Sequence, residues 1–239
     1  MIRLIHLSKS FGAARAVQDV QLHVPPGEVF GFIGPNGAGK TTTIKLMAGL
    51  LSPTSGSVFI DNINMAADPV NAKHRIGLIP DRPFLYEKLT GMEFLRFTAG
   101  LYGVSSAAFQ RNSEELLERF SLLDRADELI EAYSHGMKQR LIMAAALLHE
   151  PHLIIVDEPM VGLDPQGIRM VRELFRNLAQ RGVTVFMSTH TLKLAEDLCD
   201  RIAIIHKGVV RAIGTLHELR RYVRDGDADL EQVFFEITR

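Results

Sequence analysis

The stretch Gly34-Pro-Asn-Gly-Ala-Gly-Lys40-Thr41 concentrates residue types that handle phosphate. It fits the pattern G-x-x-x-x-G-K-[ST], between a strand-like run (Glu28 to Ile33) and a helix-like run (Thr42 to Leu50). Glycines let backbone N–H groups turn inward, and the following helix directs its positive end to the same point. Such a nest takes a di- or triphosphate. Its binding set is Gly34, Asn36, Gly37, Ala38, Gly39, Lys40, Thr41 and Thr42. Lys40 is expected to reach the outer phosphates and the Thr41 hydroxyl to ligate Mg²⁺.

A second group of chemistry-bearing residues lies far downstream. Leu153-Ile-Ile-Val-Asp157-Glu158 sets two carboxylates at the end of a uniformly apolar strand, where parallel sheets collect their ligands. Asp157 can hold magnesium with Thr41, directly or through water. Glu158 is the candidate general base for the water that attacks a γ-phosphate. Capping the turn before Pro159 is the structural alternative for this pair. His190, in Ser188-Thr-His190, follows the next strand and can point to the same phosphate. Ser134, in Tyr133-Ser-His-Gly-Met-Lys-Gln-Arg140, reads as the N-cap of a helix whose free N–H groups form an anion site.

These residues need a scaffold, and the pattern of the chain supplies one. Short strands punctuated by Ser10-Phe-Gly12 and Pro25-Pro-Gly27 fill the first 33 residues, and Ser57 to Asn64 and Arg75 to Ile79 read as further strands. Helical periodicity dominates from about Leu85 to Glu150. Strands and helices then alternate from Leu153 to His206, which argues for a parallel sheet with crossover helices. The expected architecture is α/β and a single domain: a P-loop NTPase core (about 1–84 and 151–214), an inserted α-helical subdomain (about 85–150) and a helical tail (about 215–239).

Composition narrows the functional classes. The chain has 239 residues, 46 % apolar and 23 % charged, as in ordinary globular proteins. A net charge of −1 gives no support to sequence-independent nucleic-acid binding. Cys199 is the sole cysteine, which excludes an intrachain disulfide. No run reaches the roughly 18 apolar residues that cross a bilayer. The opening Met-Ile-Arg-Leu-Ile-His lacks the apolar core of a signal peptide. A cytoplasmic protein is expected, with any membrane crossing supplied by another polypeptide.

Taken together the motifs resemble the ATP-binding subunits of ABC transporters, over nearly the whole chain. Phe11 stands where the family has its adenine-stacking aromatic, and Gly34–Thr42 forms the Walker A loop. Ser134–Arg140 matches the signature region, Leu153–Glu158 Walker B, Gly162-Leu-Asp164 the D-loop and His190 the switch histidine. The resemblance implies an antiparallel N-terminal β subdomain and ATP and Mg²⁺ as cofactors. It also implies head-to-tail pairing with a second nucleotide-binding subunit, as a homodimer or heterodimer. The signature serine and glycines of one subunit would then cover the γ-phosphate held by the other, and separate transmembrane permease subunits would be moved. Catalysis would rest on Lys40, Glu158 and His190, and the subunit would lie peripherally on the cytoplasmic face of a membrane.

Two positions depart from the family pattern. The usual Leu-Ser-Gly-Gly-Gln is Tyr133-Ser134-His135-Gly136-Met137, with an imidazole in place of the first glycine. His135 could clash slightly, turn outward, or donate to phosphate when protonated and make turnover pH-sensitive. In Ile76-Gly-Leu-Ile-Pro-Asp81-Arg-Pro83, Asp81 replaces a glutamine; it could ligate magnesium or stand in a surface turn. The leading expectation is an ATPase subunit powering transport. The alternatives are an ATP-gated regulatory module with low turnover and a soluble relative acting on nucleic acid or ribosomes. The ending Leu230-Glu-Gln-Val-Phe-Phe-Glu-Ile-Thr238 resembles the tail of subunits that serve exporters with separate membrane proteins, and export is the expected direction.

Overall fold

The computed structural model describes residues 1–82, 84–223 and 228–238. Strands β1 (Ile2–Phe11), β2 (Ala14–Val24), β4 (Ser55–Ile60) and β5 (Ile63–Asn64) form an antiparallel sheet in the order β2-β1-β4-β5. A second sheet takes β3 (Val29–Ile33), β6 (Ile76–Ile79), β7 (Leu153–Asp157), β8 (Thr184–Thr189), β9 (Arg201–His206) and β10 (Val209–Gly214). Its order is β10-β9-β3-β8-β7-β6, parallel throughout except for the β10–β9 hairpin.

The central strands β3, β7 and β8 are buried at every position because both faces are covered. Phe30, Phe32, Ile155 and Phe186 point to the antiparallel sheet and the helix α1 (Lys40–Met47). Val29, Ile154, Val156, Val185 and Met187 point the other way, into a cluster with α5 (His135–Leu147) and α6 (Pro165–Gln180). Phe186 packs between Phe30 and Phe32, with ring centroids 5.8 and 5.4 Å away.

The chain leaves the sheet after β6 and returns in the adjacent β7, passing through α3 (Gly91–Leu101), α4 (Ser106–Arg119) and α5. Each start has a chemical cause. Thr90 and Glu93 close a capping box on α3, and Ser105 and Ser134 accept from the third backbone N–H of α4 and α5. Asp164 caps α6, with Pro165 at its first position. The expected α/β fold with its antiparallel subdomain and helical insertion therefore holds.

Local departures are also present. Ser10 and Phe11 belong to β1, and the turn begins only at Gly12. The run Ser57 to Asn64 is not one strand: Asp61 and Asn62, both at positive φ, split it into the β4–β5 hairpin. A short helix, α2 (Pro69–His74), precedes β6, and β10 occupies part of what reads as the run-up to the tail. Helix α7 (Leu192–Leu198) ends at Cys199, and the tail contains α8 (Leu216–Leu219) and α9 (Leu230–Thr238). Pro83 and the tail positions 224–227 and 239 lie outside the described residues.

Candidate functional site

The C-terminal ends of β3, β7 and β8 meet at a cleft of about 440 Å³. Its floor is the loop between β3 and α1. Gly39 sits at φ +107, and a Cβ there would collide with the Ala16 carbonyl oxygen of β2, so only glycine lets the loop lie on that strand. No side chain caps α1. The N–H groups of its first turn, from Lys40, Thr41 and Thr42, lack intrahelical partners and stand at the cleft, which favours an anion there.

Lys40 is 8 % exposed, and its ammonium folds back onto its own loop, donating to the carbonyl oxygens of Gly34 at 2.6 Å and Pro35 at 3.2 Å. Burial lowers its pKa below the ordinary lysine value, while Glu158 and Asp157 act in the opposite sense. Asp157 is 4 % exposed and accepts a hydrogen bond from the Thr41 hydroxyl at 2.9 Å. Burial raises its pKa, opposed by the Thr41 hydroxyl and reinforced by Glu158 and Asp81.

Glu158 has left-handed backbone geometry (φ +51), and its N–H donates to the Ser188 carbonyl at 2.9 Å. Its Oε1 accepts from the His190 backbone N–H at 3.0 Å and lies 2.6 Å from His190 Nδ1. Its Oε2 accepts from the Thr189 hydroxyl at 3.1 Å. Three donors thus fix a carboxylate beside a cationic loop.

The cleft brings together Asn36, Gly37, Gly39, Lys40, Thr41, Thr42, Asp81, Asp157, Glu158 and His190. Gly34 and Ala38 are buried beneath the loop surface and do not line it. Phe11 is absent from the lining too: it is half exposed at the end of β1, with the Lys9 ammonium 5.2 Å from its ring centroid. Ser134, His135 and Gly136 lie at the start of α5, outside the cleft, and His135 rests against Gly162. Sequence reasoning passed over Ala16 and Val161, which line the cleft, and Thr189, which holds Glu158. Only Thr189, next to His190, had a signal in its position.

A phosphate-ready loop, a buried aspartate bonded to the loop threonine and a tethered glutamate on a mostly parallel sheet define a P-loop nucleotide hydrolase. The chain belongs to the ABC transporter family, whose profile matches residues 17–161, and it is an ATP-binding, ATP-hydrolysing subunit of that family. It is 38 % identical over 219 residues to the linearmycin resistance ATP-binding protein LnrL of Bacillus subtilis (strain 168), covering 92 % of this chain and 70 % of that one. A solved structure described as the ATP-binding subunit of an ABC transporter matches with a TM-score of 0.95 at 38 % identity, covering 100 % of both chains. The dimeric, post-hydrolysis structure of the ATP-binding cassette MJ0796, bound to ADP and Pi, matches with a TM-score of 0.82 at 27 % identity, covering 90 % of this chain and 99 % of that one. Among the described residues no helix is long and apolar enough to cross a membrane.

Proposed function

We propose that this chain is one of two paired nucleotide-binding subunits whose Mg-ATP hydrolysis drives separate permease subunits, in the direction of export. One observation carries the pairing. Lys40, Thr41, Asp157, Glu158 and His190 share a cleft that the Ser134–Gly136 turn of the same chain does not line. A capped helix start that does not meet its own P-loop suits the nucleotide of a second subunit. The MJ0796 cassette, solved as a dimer bound to ADP and Pi, supports pairing.

In this reading Lys40 exchanges the Gly34 and Pro35 carbonyls for the outer phosphates of ATP. Glu158 takes a proton from water as its oxygen bonds to the γ-phosphorus and the bond to the β–γ bridging oxygen breaks, leaving ADP and phosphate. His190 and Thr189 keep the carboxylate aimed during the transfer. Thr41 Oγ1 and Asp157 Oδ2, two hard oxygens 2.9 Å apart, suit Mg²⁺, and the burial that raises Asp157 is a cost that such a cation offsets. Asp81 borders the same space and would add a carboxylate to it. Held by Thr41 and Asp157, such a cation would supply charge neutralisation to the transferring phosphate. Export is supported by the name of LnrL, a resistance protein. Family membership supports a cytoplasmic, membrane-peripheral subunit.

The test is Glu158→Gln. Phosphate release should fall at least about a hundredfold, while ATP shifts the protein from monomer to dimer in light scattering. Undiminished release would remove Glu158 from the role of base. Failure of any membrane protein to co-purify from native membranes would contradict the permease partner.

A further inference from the structure

His135, the imidazole where the family pattern has glycine, packs on the loop that follows Glu158. Gly162 has φ +79, and a Cβ built on it would fall inside the His135 ring, against Cδ2 and Nε2. One residue on, a Cβ at Gly136 would stand 3.4 Å from the Gly162 carbonyl oxygen. The start of α5 and the loop from Glu158 to Asp164 are therefore in van der Waals contact within one chain.

That loop is short and internally tied. The Val161 N–H donates to the Glu158 carbonyl and the Leu163 N–H to the Met160 carbonyl, both at 3.3 Å. Asp164 then caps α6 through the Gly167 N–H at 2.7 Å. A displacement at Gly162 has little slack to absorb it before Glu158, whose backbone already sits at positive φ.

We propose that His135 is a positioning residue: its ring braces Gly162 and so couples the signature turn to the placement of Glu158 in the same chain. In the paired arrangement, a turn seated on one nucleotide would thereby set the carboxylate that serves the other. This role requires the flat ring and not its nitrogens, which separates it from direct donation to phosphate. It rests on the proposed role of Glu158 as base.

The test compares steady-state ATP hydrolysis of H135F, H135G, G162A and the double variant H135G/G162A, with E158Q run in parallel. H135F should keep the parental kcat within about twofold and an unchanged pH–rate profile between about pH 5 and 8, where an imidazole would titrate. H135G should lose about tenfold in kcat with little change in KM, the pattern of a misplaced group. G162A should lose more than tenfold in the parent and much less when added to H135G, because the clash is then gone and only the left-handed backbone cost remains. H135F as impaired as H135G, or with a shifted pH profile, would overturn the brace in favour of a nitrogen contact. A G162A loss equal in both backgrounds would overturn it too. An active E158Q protein would sink the base assignment alone, because the cycle between His135 and Gly162 measures their contact whatever Glu158 does.

Discussion

Oε1 of Glu158 lies 2.6 Å from His190 Nδ1 and 3.0 Å from the His190 backbone N–H, so one residue grips the carboxylate through both ring and main chain. The grip joins the end of β7 to the end of β8, adjacent strands whose register places Asp157 opposite Ser188. A carboxylate acceptor puts the proton on Nδ1, which fixes the tautomer of His190.

Thr189 completes the hold from the other carboxylate oxygen, and its own oxygen accepts the Thr191 N–H at 3.0 Å. Thr189→Val keeps the β-branched shape and deletes both the donor to Glu158 and the acceptor for the Thr191 N–H. The lost bond to the carboxylate, worth about 1 kcal/mol, predicts a fall in kcat of roughly fivefold. The ATP concentration for half-maximal rate should stay unchanged, and Thr189→Ser should restore turnover. Phosphate-release kinetics on the three proteins check this.

Asp157 gives a pH- and metal-dependent prediction. Its folded pKa is raised above the ordinary 3.8, so its contribution to stability is complete below that value and is lost as pH rises through the folded one. At neutral pH the ionised side chain is therefore a cost in the nucleotide-free protein. Asp157→Asn can still accept from Thr41 and should raise the nucleotide-free melting temperature at pH 7. The added stabilisation by Mg²⁺ in the presence of ATP should disappear in the same variant. Thermal melts with and without Mg-ATP read both effects.

His149 gives the opposite sign. Burial holds its pKa down to about 4 from 6.5, only partly opposed by its hydrogen bond to the Ile76 carbonyl. Its ring stacks on Tyr102 with centroids 3.7 Å apart, and Nε2 lies 3.0 Å from that carbonyl. A lowered pKa contributes stability above 6.5 that drains away as pH falls to about 4. That difference amounts to about 3 kcal/mol. His149→Phe should lose about 1 kcal/mol at pH 7, where the hydrogen bond is gone, yet show a flatter decline from pH 6.5 to 4. Urea melts across that range test the slope.

The fold was legible where period and punctuation agreed. Leu153 to Val156 is apolar at every position because it is buried on both faces, and Ser134 announced its helix as a cap. The hairpin turn at Asp61-Asn62 was hidden inside a run that reads as one strand, and β10 follows a two-residue turn at Lys207-Gly208 that carries no long apolar signal. In the site, residue types named the chemistry of Lys40, Thr41 and Asp157, whose spacing is local or set by the sheet. The contacts of Glu158 with Thr189 and of His135 with Gly162 were not legible, because tertiary packing alone brings those segments together. Phe11 is a different case: its type fits stacking, and it stands outside the residues that line the cleft.

The central claim is that the Lys40 loop of one chain works with the Ser134 turn of another. Lys40→Met removes the first function and Ser134→Arg the second, so each purified variant should be nearly inactive. Mixed in equal amounts with ATP, they should regain roughly a quarter of parental ATPase activity, because half of random dimers are mixed and each has one intact site. No recovery on mixing, with both variants folded and mixed dimers formed, would contradict the account.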